Sequence, residues 1–371
     1  MFLFARLTVT IIDQRSTRSR QLFALSARSK LLRFNETHKF AGQTMLRTFL
    51  ILLFCLTAVT AHARCQGIDI RPHLTASQSA QLHRDAAKIP FAQGNHWIAT
   101  RNGQTVHIVG TMHINDSRLN RVMRNLKPVI ARADAILFEV STRETDRFWT
   151  TFEDHKSLFF LPKGPNAQDR MSDTAWQSLI QAADARRLNI AELVKLQPWL
   201  LSMLLTGSTC GPTGMFASNG LDNRIEKQAQ RKRIPVGSLE TVETAIKSLS
   251  QQPLNDQISL LQFDLIEPDS NEHAFVTTRE AYFDEAMAEA MILEKWRFER
   301  DFPGPRANRT RLWQRYQNGL LAQRNKNWMP IIRRTKGDLL IVAVGAAHLP
   351  GRDGILNLLH NAGYKMQRAV F

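Results

Sequence analysis

Two short stretches of this chain end in the same way. The apolar run "HIVGTMH" closes on Gly110-Thr111-Met112-His113, and "IVAVGAAH" closes on Gly345-Ala346-Ala347-His348. Between them, "DAILFEVS" carries Glu139 near its end and "IPVGSLE" ends on Glu240. In open α/β sheets, ligands bind beyond the carboxyl ends of the strands. Four strand ends would therefore deliver two imidazoles and two carboxylates to one region. That donor set suits Zn²⁺, Mn²⁺, Co²⁺ or Fe²⁺, which accept nitrogen and oxygen ligands. The expectation is a divalent metal held by His113, His348, Glu139 and Glu240. Such an ion lowers the pKa of a bound water and polarises a carbonyl, the two needs of hydrolysis. One glutamate would be a ligand and the other a general base, and the residue types do not say which. A single Gly-x-x-His carries little weight, because a histidine at a strand end is commonly a hydrogen-bonded structural residue. The pair, with two strand-end glutamates, is what raises the functional reading.

The elements that must position these groups follow from patterning. Residues 96–110 read as a hairpin, with two alternating runs flanking Asn102-Gly103. Residues 116–133 read as a helix capped by Asp116, with Leu119, Val122, Met123, Leu126, Val129 and Ile130 at helical spacing. A strand over 134–141 follows, so the crossover implies a parallel pair. Further strands are expected at 234–240 and 338–348, then a helix with a stop at Gly363 and a last strand, "YKMQRAV". The long intervals at about 146–230 and 252–335 read as helical. The fold class is α/β: a mixed central sheet with crossover helices and a large helical insertion.

Other residues have plainer readings. His107 lies within a strand and reads as structural. Asp222 and Arg224 in "GLDNRI" read first as a helix cap and an exposed base, and "RKR" at 231–233 as a solvated helix end. Arg324 in "LLAQRNKNW" sits on a helix near the cleft, where a guanidinium could hold a carboxylate or phosphate. The Gly-rich "TGSTCGPTGMFASNG" lacks both a P-loop pattern and a nucleophile elbow, and reads as a lid-like loop.

The amino terminus reads as a separate matter. Residues 45–63, "MLRTFLILLFCLTAVTAHA", have the short apolar run and Ala-x-Ala ending of a secretory signal peptide. Residues 1–44 then read as a non-native upstream extension or leader, and 64–371 as a single domain. The run is short for a membrane span, which needs about 20 residues. Of the net charge of +16, +7 lies within positions 1–63, leaving +9 for the rest. That remainder, without any aromatic-basic motif, does not point to nucleic acid. Cys55 leaves with the signal peptide, so Cys65 and Cys210 form an even pair, and a Cys65–Cys210 disulfide is expected in a periplasmic or secreted protein.

The chain resembles the TraB/PrgY/GumN family, related to the Tiki proteins and more distantly to ChaN-like and erythromycin-esterase-like proteins. The carrying segments are "VHIVGTMHINDSR", "AILFEVS", "GLDNRIEKQAQRKRIPVGSLET", "LLAQRNKNWMPII" and "LLIVAVGAAHLPGRDGILNLLHNAGYKMQ". The resemblance implies a Tiki/EreA/ChaN-like core with both Gly-x-x-His motifs around one cleft. From the Tiki proteins it implies a metal-dependent peptidase using Mn²⁺ or Co²⁺, with a peptide or protein substrate. Carried over, it points to His113, Glu139, Glu240 and His348, with Arg324 as a supporting or substrate-binding residue. The alternative is a non-catalytic peptide- or glycan-binding protein linked to polysaccharide biosynthesis or export.

Overall fold

The computed structural model describes residues 65–162, 164–205, 219–250, 252–266 and 268–371. The expected leader (1–44), the expected signal peptide (45–63) and Cys210 of the expected disulfide lie outside these residues. Among the described residues no helix is long and apolar enough to cross a membrane.

Six strands form one mixed sheet: β1 (His96–Arg101), β2 (Gln104–Thr111), β3 (Ala135–Phe138), β4 (Val236–Ser238), β5 (Leu339–Gly345) and β6 (Lys365–Arg368), in the order β4-β3-β5-β2-β1-β6. β5 is parallel to both β3 and β2, and β3 is parallel to β4. β1 runs antiparallel to β2 and to β6. The hairpin expected at Asn102-Gly103 is present. Both turn residues have positive φ, 49° and 84°, the signature of a type I′ turn whose twist matches that of the strands it joins.

The continuous apolar run of β5 reflects its central place. Leu340 to Val344 are all buried, as a strand covered on both faces requires. Alternate side chains feed two cores. On one face Val109, Ile136, Phe138, Ile341 and Ala343 pack with the helices Leu119–Ile130 and Leu221–Lys232 and with Tyr282. On the other face Ile108, Leu137, Val342 and Val344 pack with Trp328, Ile332, Ile355 and Leu359. The sheet is thus sandwiched between helical layers. The helical intervals expected at 146–230 and 252–335 are observed as the helices between Thr142–Thr150 and Leu221–Lys232, and between Leu254–Ile266 and Gln323–Arg334.

Two local details differ from expectation. The helix after β2 begins at Leu119, and its N-cap Arg118 makes no side-chain cap bond. Asp116 is occupied elsewhere: its carboxylate accepts from the Arg118 backbone N–H (2.8 Å) and guanidinium (Nε, 3.1 Å). The crossover from β2 does not lead to a neighbouring strand either, because β5 lies between β2 and β3. That insertion pairs Thr111 with Gly345. The two Gly-x-x-His ends, remote from each other in sequence, therefore leave the same rim of the sheet.

Candidate functional site

The two glycines that open the motifs have different reasons to be glycine. A Cβ on Gly110 would lie 3.1 Å from Ala346 Cα, so Gly110 lets the second motif cross close above the first. Its carbonyl also accepts from the Tyr282 hydroxyl (3.1 Å). A Cβ on Gly345 would lie 3.1 Å from Glu139 Oε1, and the Gly345 N–H donates to that same oxygen at 2.6 Å. Each motif therefore approaches a neighbouring part of the site without an intervening side chain.

β3 and β4 end at Phe138 and Ser238, but their pairing continues. Leu239 N–H donates to Phe138 O (2.8 Å) and Glu240 N–H to Glu139 O (3.1 Å). This ladder sets the two glutamates side by side. Arg324 rises from the helix Gln323–Arg334 between them. Its Nη2 donates to Glu139 Oε2 (2.6 Å) and to Glu240 Oε1, and its Nε also reaches Glu240 Oε1 (2.9 Å). Its Nη1 donates to Leu320 O (3.2 Å) and lies 3.2 Å from His348 Nε2. A guanidinium has five N–H donors, and all five of these are engaged. Trp328, one turn along the same helix, lies beneath the group, its ring 4.9 Å from Arg324 Cζ and 4.5 Å from the His348 ring.

The network assigns the His348 tautomer. Arg324 can only donate, so Nε2 accepts. Nδ1 then carries the hydrogen and donates to Asn325 Oδ1 at 2.7 Å. Asn325 is fixed in turn by donating to His348 O (3.2 Å) and Asp353 O (2.8 Å). Burial lowers the His348 pKa to about 4, against the pull of Glu139, and the Arg324 charge lowers it further. Burial also raises both carboxyls, but with opposite net results. For Glu139 the charges of Arg324 and His348, the Gly345 N–H and the charge of His113 outweigh burial, and its pKa is held down to about 2. For Glu240 burial wins over the shared guanidinium, aided by repulsion from Glu139, and its pKa is raised. Two neighbouring carboxyls with affinities pushed apart are a recurrent acid–base arrangement.

His113 stands differently. Its side chain is 51% exposed, and Nδ1 lies 3.1 Å from Asp222 Oδ1. That distance suits a hydrogen bond but the alignment does not, so Asp222 Oδ1 is buried without one. Asp222 Oδ2 accepts from Asn223 (2.9 Å). The Asp222 charge raises the His113 pKa against a smaller loss from burial. Gly220 makes the approach possible, since a Cβ there would fall 2.7 Å from Met112 O and 2.9 Å from His113 Cα. Arg224 is not an exposed base. It donates to Asn219 O (3.0 Å), Asn120 Oδ1 (2.8 Å) and Asn115 Oδ1 (2.9 Å), tying the loop after His113 to the start of the helix Leu221–Lys232. His107 is structural as read, its Nδ1 2.9 Å from His96 Nε2 in a buried pair.

The structure thus gathers Glu139, Glu240, His348 and Arg324 into one cluster and gives His113 a separate companion, Asp222. The residues underweighted or missed in the sequence are Asp222, Asn325, Trp328 and Gly220. The one readable signal was the Arg324–Trp328 spacing of four on a helix, which puts both on one face. A divalent ion does not fit this arrangement. The donors that would ligate it, Glu139, Glu240 and the His348 Nε2 lone pair, are turned on the Arg324 guanidinium. Among the described residues no three His, Cys, Asp or Glu side chains are grouped to hold a metal.

Comparison with known proteins agrees with this framework of motifs. The chain is 23% identical over 278 residues to protein YbaP of Escherichia coli (strain K12), covering 72% of this chain and 94% of that protein. YbaP of Shigella flexneri matches with the same identity and coverage. The model of the TraB/PrgY/gumN family matches residues 95–368, which hold both Gly-x-x-His motifs, all of the sheet and every residue of the cluster; the chain belongs to the TraB/PrgY/gumN family.

Proposed function

We propose that the rim of the sheet is the site of a hydrolase acting on a peptide or related acyl substrate, with His113 as its acid–base group. The observation that carries this reading is the His113–Asp222 pair: a half-exposed imidazole backed by a mostly buried carboxylate. The Asp222 charge lies against the Nδ1 side of the ring and favours the imidazolium formed in the step, which leaves Nε2 for a reacting proton. In the proposed step a water oxygen adds to the substrate carbonyl carbon as its proton passes to His113 Nε2. The same proton goes to the leaving nitrogen when the carbon–nitrogen bond breaks. Glu139, 21% exposed at its side chain, held ionised and within electrostatic reach of His113, supplies a fixed acceptor for orienting water. Arg324, with no donor free, acts by holding Glu139 and Glu240 in place.

No step here runs through a metal, because Glu139, Glu240 and His348 Nε2, the donors such an ion would need, are engaged by Arg324. The reading carries the Tiki-like likeness with it as an expectation of fold, and the signal-peptide pattern of residues 45–63 supports action outside the cytoplasm. The test is mass spectrometry of a peptide mixture incubated with the purified protein. Cleavage by wild type that is lost in His113→Ala supports the reading. Absence of cleavage, or equal cleavage by the variant, overturns it.

One feature favours a second reading, capture without turnover. A guanidinium satisfied in all five donors is also how a rigid binding cleft is built. Retention of a peptide or glycan without any product would support it.

A further inference from the structure

Away from the rim, the helical layer encloses a cavity of about 160 Å³. Ligand pockets for whole small molecules run to about 300–1,000 Å³, so this one has room for a single side chain or a similarly small group. Its walls are aromatic: Trp199, Phe263, Phe298, Trp313 and Tyr316. Four of these rings form a connected set, with Phe263–Phe298 centroids 5.5 Å apart, Phe298–Trp313 5.3 Å and Trp313–Tyr316 6.2 Å.

The charges on this wall do not balance. Among the described residues, Asp264, Glu294 and Arg297 are its only charged side chains, two acids and one base. Arg297 is committed to Glu294 through Nε–Oε2 (3.1 Å) and Nη2–Oε1 (2.8 Å), and its Cζ stacks 4.7 Å from the Phe263 ring. Asp264 is the second acid, offset by Arg297 only at a distance and hydrogen-bonded to Ser202. Burial pushes its carboxyl up to about 7, a shift that Arg297 opposes and Glu294 reinforces. An aromatic chamber with two acids to one base is complementary to an organic cation, through cation–π attraction to the rings and an ion pair at the acid. Arg297 on Phe263 already shows a guanidinium stacking against this wall.

The cavity adjoins the rim. Leu320 lines it, and the carbonyl of Leu320 accepts from Arg324 Nη1. Leu320 belongs to the π-helical turn Asn318–Ala322, which runs directly into the helix carrying Arg324. Such turns recur at functional sites.

We propose that this cavity is a recognition subsite for a guanidinium or amidinium group, the cationic side chain of a peptide substrate, with Asp264 as its charge partner. The peptide origin of that group rests on the hydrolase reading; the binding of the cation does not. The test is a fluorescence titration, read through Trp199 and Trp313, with benzamidine and with its neutral near-isostere benzamide. Wild type should bind benzamidine roughly tenfold more tightly than benzamide, the worth of one charged contact. Asp264→Asn should bring the two to parity while Asp222→Asn, at the rim, leaves the preference intact. Equal binding of the two ligands by wild type, no binding of either, or an unchanged preference in Asp264→Asn overturns the proposal. If Asp264→Asn fails to fold by circular dichroism, the wild-type comparison alone decides. Because the readout is binding, a protein that selects benzamidine but cleaves no peptide would sink the hydrolase reading and leave the subsite standing.

Discussion

Arg324 Nη2 lies 2.6 Å from Glu139 Oε2, joining a helix of the insertion to the end of a central strand 185 residues earlier. Around that bond the guanidinium also engages Glu240, His348 and a backbone carbonyl. Its single positive charge thus lies between two carboxyls that would otherwise repel each other in a largely buried place. A planar group with five fixed donors can do this, while a lysine cannot.

Arg324→Ala should therefore destabilise the protein by about 3–5 kcal/mol, the usual result of removing one member of a buried charge set. Arg324→Lys should recover only part of the loss. Denaturant unfolding at neutral pH measures both. Equal stability of Arg324→Ala and wild type would show that the cluster is not structurally coupled.

The same residue should govern metal affinity. With Arg324 present, Mn²⁺ and Co²⁺ should bind weakly. Arg324→Ala frees Glu139, Glu240 and His348 Nε2 and should raise affinity. Calorimetric titration of Co²⁺ into both proteins checks this. Tighter binding to wild type would mean that the ion displaces the arginine unaided.

At the other pair, Asp222→Asn removes the charge that raises the His113 pKa, so the imidazole should titrate at lower pH. Two-dimensional NMR of the His113 ring reports this directly. His113→Ala should cost about 10²–10⁴-fold in any hydrolytic rate. The stability linkage has a definite sign. A raised histidine pKa stabilises fully below the unfolded value of 6.5, and that contribution disappears as pH rises through the folded pKa.

The buried imidazoles work the other way. His348 and His107 are both lowered from 6.5 to about 4. Between these values the unfolded chain binds more protons, so stability should fall as pH drops from 6.5 to 4, by on the order of 3 kcal/mol per imidazole. Glu139, depressed from 4.5 to about 2, extends the loss over that lower range. Thermal melts across pH 3–8 should show a monotonic acid limb, shallower in His107→Phe.

The glycines separate stability from chemistry. Gly110→Ala presses a methyl against the Ala346 backbone and should cost about 1–3 kcal/mol. Gly345→Ala presses instead on the Glu139 carboxylate, and should lower activity more than melting temperature. The comparison needs only the two variants and both assays.

Much of this was legible in the chain because strands announce themselves as apolar runs. β2, β3, β4 and β5 were each readable, and so were the residues that follow them. What could not be read was which strand lies beside which, since β5 enters between β3 and β2 only through tertiary packing. The companion of His113 was hidden for the same reason. Asp222 lies far along the chain, and it reads as a helix cap until Gly220, the actual N-cap, brings its helix against Met112. Arg324 was placed near the cleft, but its saturation by four different residues depends on distances that no spacing encodes.

The late insertion of β5 has a consequence for biosynthesis. β2 is complete at Thr111, while the strand that must lie beside it begins only at Leu339. The sheet therefore stays open along its middle until β5 itself has been made. Contacts this distant close slowly, and the unpaired flanks of β2 and β3 are exposed meanwhile to aggregation. The rim that holds both histidines is thus among the last features to form, and fragments that stop short of Leu339 should contain neither a complete sheet nor a site.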